Sequence, residues 1–412
     1  MDQTVFALLE GYAWLPALRR RASGEVVRTR LAGRRAVALR GPDAARFFYD
    51  EAHVHRHTAL PGPVKSTLTG HEAVHTLDGE AHRVRKALFM SLLDGDGVAR
   101  LVEHTTAAWD DRVKSWAGGR PVVLFDETAE VLAQGVCSWS GVPLATADVP
   151  ALARDLVAMV DGFATFGPRH WRARAARARR EAWLTGLVQD ARRGVAPVAA
   201  GSAVTAVAHH QDAGGRPLDA RVAAVELLNV LRPTVAVCWW LAFAAHALHR
   251  WPHHRGPLSG DTGAFAEMFA QEVRRFYPFA PFVGGRAVKD LSYEGEPIPA
   301  GSMVLLDIYG QHHDERFWKD PYTFAPHRFA EHRAGMFDLI PQGGGDPATG
   351  HRCPGDALAV ALLQALVPRL AGLRYDVPGQ DLTISLRRVP ARPASGFVLK
   401  LVGTGPEAIG PG

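Results

Sequence analysis

Cysteine is scarce in this chain: three residues in 412, at Cys137, Cys238 and Cys353. An odd number at wide spacing excludes a disulfide framework and suits a reducing compartment. Long apolar runs are also lacking. The longest uncharged one, Pro233 to Ala245, falls short of the roughly 20 residues a bilayer span needs. The opening "MDQTVFALLEGYAWLPALRRR" carries Asp2 and Glu10 and has no apolar stretch followed by a small-residue cleavage site, so no signal peptide is read there. The expectation is a cytoplasmic protein without a membrane span. Excess charge of one sign is missing too: 47 Lys and Arg stand against 42 Asp and Glu, for a net charge of +5. The basic residues are not interleaved with aromatics, and no nucleic-acid module is present, so no nucleic-acid partner is expected.

What is present is a long helical pattern. Residues 25–40, "EVVRTRLAGRRAVALR", alternate around Ala-Gly and predict a β-hairpin. Helical periodicity dominates from about 82 to 250, broken at Gly118-Gly119, Gly167-Pro168, Gly194 and Gly214-Gly215. A helix over 263–277, short strands after 282, irregular chain to 352, a helix over 354–372 and strands near 382–402 complete the reading. With no repeat and no linker, residues 1–402 are expected to form a single, mainly α domain with a small β portion. The tail 403–412 is expected to be disordered.

The most apolar stretch, "ELLNVLRPTVAVCWWLAFAAHALHRWP" (226–252), holds Arg232 and then Pro233. The helical neighbours of Arg232 at three and four residues are Leu228, Asn229, Val235 and Ala236, none of them acidic. A buried unpaired guanidinium costs several kcal/mol, so Arg232 must face water, a distant acid or an anionic ligand. The ordinary solution is a carboxylate from another helix. The alternative is a site for a substrate carboxylate, to which Arg offers planar bidentate donors. Pro233 lacks the N–H that would meet Asn229 O and should bend the helix.

In "PQGGGDPATGHRCPGDALAVALLQAL" (341–366), Cys353 follows a glycine-rich loop and precedes a helix. His351 and Arg352 beside it, together with the helix N-terminus, favour a thiolate. Upstream, "EVRR" supplies Glu272 and Arg275 at i,i+3, and "FAPHRF" supplies Arg328. In this order these residues resemble the cytochrome P450 superfamily, with Cys353 as axial ligand of haem b and Glu272, Arg275 and Arg328 as a structural brace. The loop departs from the common pattern at Asp346, seven residues before the cysteine, and at His351, two before it. Gly350-His351-Arg352-Cys353 instead resembles one branch, the fatty-acid peroxygenases. Arg232-Pro233 then stands where ordinary monooxygenases carry an acid and a threonine that relay protons to dioxygen.

The resemblance covers roughly 45–400 and implies a specific activity. A long- or medium-chain fatty acid would bind with its carboxylate on Arg232 and supply the acid–base group that arginine, always a donor, cannot. Hydrogen peroxide would be the oxidant, with no obligatory redox partner. Oxidation at Cα or Cβ would give 2- or 3-hydroxy acids, or CO2 and a terminal alkene. The resemblance also implies roles for His75 and Pro233 at the catalytic face, and for Phe279, Thr69 and Val74 along the substrate. Thr69 replaces a phenylalanine expected of decarboxylating members, which counts against the alkene outcome. His82, Arg85, Lys86 and Arg286 would meet the haem propionates.

Two rival readings follow from other features. A conventional monooxygenase fed by NAD(P)H through redox partners lacks its acid–threonine pair here. The arginine-rich "PRHWRARAARARREAW" (168–183) would serve such a partner or an anionic lipid, though a solvated face is the commoner use. "HEAVH" (71–75) fits the zinc-hydrolase pattern H-E-x-x-H, but Gly70 and Asp78-Gly79 leave barely two helical turns around it. The remaining histidine groups, 53–57 and His312-His313, are not read as metal sites.

Overall fold

The computed structural model describes residues 2–402 except 23, 164, 197, 261–262 and 332–333. The terminal segment 403–412 lies outside the described residues. The expected hairpin is there: β1 (Val27–Leu31) and β2 (Arg34–Leu39) pair antiparallel, with Leu31 opposite Arg34. Its two loop residues, Ala32 and Gly33, both have positive φ, 52° and 75°. That left-handed pair matches the strand twist in a two-residue hairpin. Three further strands, β3 (Val54–His55), β4 (Phe282–Ala287) and β5 (Met303–Asp307), complete a sheet of order β1-β2-β5-β4-β3. Val37, Leu39, Val304 and Leu306 pack on one face, Ala36, Ala38, Met303 and Leu305 on the other. Burial on both faces explains why β2 and β5 read as continuous apolar runs rather than alternating ones.

The remaining mass is helical. Six helices position the site: α1 (Gly79–Leu92), α2 (Pro168–Arg192), α3 (Ala220–Val235), α4 (Val237–Arg250), α5 (Ala264–Phe276) and α6 (Asp356–Gly372). Leu228, Leu231, Trp239, Phe243, Phe269 and Leu362 share one core with fully buried side chains. Helices α3 and α4 run on from one another. Together they are long and apolar enough to cross a membrane, but 94% of the qualifying stretch is buried inside the fold, as befits a core helix. The interruption expected at Pro233 falls one turn later, at Ala236. There Ala236 N–H still reaches Arg232 O (3.0 Å), but Trp239 N–H turns back to Ala236 O (3.2 Å).

One expectation needs correction. Of the strands placed near 382–402 only Val398–Leu401 forms, between Val122–Val123 and Tyr375–Asp376. The rest of that segment makes one bridge, Ile384 with Pro393. Pro390 and Pro393 offer no N–H to a ladder, so no longer strand can grow there.

Candidate active site

Cys353 sits where the glycine loop meets α6. Its N–H donates to Gln342 O (2.9 Å), and Asp356 N–H donates back to Cys353 O (3.2 Å). Two donors reach the sulfur: Gly355 N–H and Gln342 Nε2, the latter at 3.6 Å. Burial pushes the thiol pKa up, while the Gly355 N–H and the Lys86 charge push it down. Gln342 is itself oriented, since its Oε1 accepts from Arg274 Nη2 at 3.0 Å. Arg274, buried, also pairs with Asp356, which accepts from Arg352 at 2.7 Å. Neither Gln342 nor Arg274 was marked by the sequence reading, because their link crosses from α5 to the loop.

Beside the loop lies a cluster of basic side chains. His82 and Lys86, one turn apart on α1, both turn to it, and both are buried. Lys86 Nζ donates to Gly350 O (2.9 Å) and to Arg352 O. The His82 ring stacks on His351 at 3.9 Å, and its Nδ1 is buried without a hydrogen-bond partner among the described residues. Burial, then the His351 and Lys86 charges, drives His82 down to about 3. Arg56, a buried residue the sequence reading missed, adds its charge to the same group. Asp78 faces them, accepting from His351 Nε2 (3.2 Å), and Glu51 brings an oxygen within 4.8 Å of both rings.

Two expected members of this group are placed elsewhere. Arg85 points away from the loop and pairs with Glu226 at 2.6 Å. Arg286, half-buried and opposite His55 in the β3–β4 pair, donates to Thr58 O at 3.2 Å. The reason is helical geometry for the first: one residue before Lys86, Arg85 lies about 100° around α1.

Across the interior is a second network, built on α3. Arg85 Nη1 donates to Glu226 Oε1, which also accepts Val74 N–H at 2.8 Å. Asn229 Nδ2 donates to Glu226 Oε2 (3.1 Å) and Thr69 O (3.0 Å). Asn229 Oδ1 accepts from Arg232 Nη1 at 2.8 Å. The same Nη1 donates to Leu68 O, which also accepts from Arg177 Nη1 (2.6 Å). Arg177 pairs with Glu181 at 2.5 Å. Gly70 makes this packing possible: its φ is +90°, and a Cβ there would meet Arg177 Nη2 at 2.3 Å.

Three guanidiniums, of Arg85, Arg177 and Arg232, thus share two carboxylates, those of Glu226 and Glu181. Arg232 has no ion pair, and its Nε and Nη2 have no hydrogen-bond partner among the described residues. Burial first, then the Arg177 charge, lowers Arg232 to about 9, which leaves it protonated at neutral pH. The Cys353 sulfur acts in the opposite sense, so the two groups feel each other across the interior.

His75 lies on the 3-10 turn Val74–Thr76. Its ring has accessible surface, yet it is set deep enough for burial to hold its pKa well below the imidazole range, with Arg232, Lys86 and His351 adding to the effect. Thr69 is buried and contributes its carbonyl to the Asn229 network. Phe279 is half-buried, with its ring 4.8 Å from Trp240 and 6.3 Å from Trp239. The zinc pattern is not built: residues 71–72 form a turn, Glu72 has φ +61°, and the Glu72 carboxylate is paired with Arg221.

On the far side of the cysteine loop, Glu272 on α5 takes two bonds from Arg275, Nε and Nη2 both at 2.8 Å. Arg275 spends Nη1 on His312 O (2.7 Å) and Pro321 O (2.9 Å). Arg328 closes the set, with Nε 3.2 Å from Glu272 and Nη1 2.6 Å from Lys319 O.

This arrangement is a haem-thiolate centre in its parts: a cysteine at a helix start, a braced loop behind it, and a helix carrying charge in front. The sequence profile of the cytochrome P450 family matches residues 264–371, which hold Glu272, Arg275, Arg328 and Cys353. Two solved structures align over nearly the whole chain. A variant of cytochrome P450SP alpha is 40% identical, covering 97% of this chain and 98% of its own, with a TM-score of 0.93. Cytochrome P450EX alpha, solved with myristic acid, is 36% identical over 97% and 96%, with a TM-score of 0.92. Among curated relatives, cytochrome P450 4e5, mitochondrial, of Drosophila mettleri is 26% identical, and the match spans 31% of its length. The chain belongs to the cytochrome P450 family, in its fatty-acid peroxygenase branch.

The residues fit the family's cofactor. The Cys353 sulfur has two donors, and His82 Nδ1, without a hydrogen-bond partner among the described residues, stands with Lys86 and Arg56 where carboxylates would be met. Haem bound here is held by the Cys353 thiolate.

Proposed function

We propose that the protein uses hydrogen peroxide to oxidise fatty acids at Cα or Cβ, without an obligatory redox partner, and that residues 1–402 act as one haem-thiolate domain. Haem supplies peroxide O–O cleavage and C–H oxidation, with the thiolate favouring the cleavage. The observation that carries the reading is the surplus guanidinium: Arg232 lies inside the fold with Nε and Nη2 unmet, in a network one carboxylate short.

A fatty-acid carboxylate supplies that missing charge. Arg232 would hold it in place, and the carboxylate oxygen would take a proton from one peroxide oxygen and return it to the other. Arg232 cannot do this itself, being protonated and purely a donor at neutral pH. His75 is kept neutral beside it, so it adds no second cation. Pinning the head group leaves Cα and Cβ as the carbons nearest the oxidant, giving 2- and 3-hydroxy acids. Thr69 at its position argues for hydroxylation over alkene formation. Phe279, between the aromatic wall and open space, would line the chain beyond, and Pro233 fixes the path of α3 past Arg232.

The test is direct. Purified haem-loaded protein, hydrogen peroxide and a long-chain fatty acid, with no reductase, should give hydroxy acids by mass spectrometry. Turnover only on addition of NAD(P)H and an electron-transfer partner would overturn the peroxide reading.

A further inference from the structure

We propose that Glu226 is a positioning residue for the head-group site: it orients Arg232 through the neutral side chain of Asn229, without neutralising it. The inference rests on the reading of Arg232 as carboxylate anchor and adds to it how that anchor is kept both rigid and charged.

Hydrogen-bond polarity makes the case. Asn229 Nδ2 lies 3.0 Å from Thr69 O and 3.1 Å from Glu226 Oε2, and both oxygens only accept. The amide nitrogen must therefore face them, and the amide oxygen must face Arg232 Nη1, 2.8 Å away. Reversing the amide would set its oxygen against two acceptors and its NH2 against a guanidinium. The other oxygen of Glu226 takes Val74 N–H at 2.8 Å and Arg85 Nη1 at 2.6 Å. One fully buried carboxylate thus ties together the residue preceding His75 and, through Asn229, the guanidinium of Arg232.

The spacer matters as much as the acid. A carboxylate at 229 would pair with Arg232 and use up the charge that recruits substrate. With the acid two i,i+3 steps away, its charge is met by Arg85, and only its hydrogen-bond direction reaches Arg232. Residues 226, 229 and 232 lie along one face of α3, as steps of three require.

The experiment compares binding of a fatty acid and of the matching fatty alcohol to haem-loaded protein by calorimetry, so that acid-over-alcohol selectivity reads the head-group site alone. Glu226→Gln keeps size and the acceptor for Val74 and Arg85 but sets an NH2 against that of Asn229. It should weaken fatty-acid binding on the order of tenfold and leave the alcohol unchanged. Glu226→Gln with Asn229→Asp restores the number of carboxylates but places one on Arg232. It should weaken fatty-acid binding further, on the order of a hundredfold. Should Glu226→Gln fail to load haem, Asn229→Ala carries the same test, with a loss of about tenfold expected.

Parent-like acid affinity in Glu226→Gln or Asn229→Ala, with Arg232→Ala impaired, overturns the positioning role and leaves the anchor standing. Recovery of parent affinity in the double variant overturns it too, because the number of charges rather than their placement would then govern binding. Parent-like affinity in Arg232→Ala overturns the anchor itself, and this inference with it.

Discussion

Arg275 and Arg232 are the same side chain, 0% and 5% exposed, on helices of one core, and they are used in opposite ways. Arg275 is saturated: each of its nitrogens has an acceptor, and Glu272 meets it with both oxygens. Among the described residues Arg232 is held through Nη1 alone and has no acid of its own. Burial by itself therefore does not tell a structural cation from a binding one. What separates these two is the count of donors left over among the described residues: none on Arg275, and Nε and Nη2 on Arg232.

Breaking the saturated site should have the largest effect. Glu272→Ala leaves Arg275 buried without a counter-charge, at a cost of about 3–5 kcal/mol. Soluble yield, haem content and thermal midpoint should all fall. Arg232→Ala should do the reverse: at least about a hundredfold loss of fatty-acid turnover by peroxide, as for other lost charged contacts, with haem content and midpoint near the parent. A variant that melts like Glu272→Ala would place Arg232 with the structural cations.

A buried acid sharpens the point from the other sign. Asp307 accepts from Gly310 N–H at 2.8 Å, but its Oδ2 is buried without a hydrogen-bond partner among the described residues, and burial raises its pKa to about 6. A carboxyl raised above its unfolded value contributes stability that is full below about pH 4 and lost as pH rises through about 6. Asp307→Asn should remove about 3 kcal/mol of pH dependence over that window, read by urea unfolding at several pH values. The smallest effect belongs to Thr69→Val. The network uses the Thr69 carbonyl, and the hydroxyl makes only a 3.3 Å contact to Gly70 O. Fatty-acid affinity should change by less than about twofold, since a lost weak hydrogen bond is worth under about 1 kcal/mol.

Much of the site was legible because its signals are local. Glu272 and Arg275 lie one turn apart, Cys353 stands at a loop–helix junction, and His82 with Lys86 shares one helix face. Arg232 announced itself as a charge in an apolar helix. Glu226 carries no signal at one helical step, because it reaches Arg232 through two, in the pattern Glu-x-x-Asn-x-x-Arg. Arg85 was misplaced by adjacency in sequence: its neighbour Lys86 faces the cysteine loop, while it faces Glu226. Arg56, Arg274 and Gln342 carried no local signal, since each acquires its role from a segment far away in the chain. The hairpin was readable from its turn. The C-terminal strands were not, because pairing there depends on which prolines fall opposite which acceptors.

A crystal structure of the haem-loaded protein with a bound long-chain fatty acid tests the central claim most directly. The carboxylate should lie within hydrogen-bonding distance of Arg232 Nε and Nη2, with the chain running out past Phe279. A methyl end nearest the cysteine-held haem, and a carboxylate remote from residue 232, would contradict it.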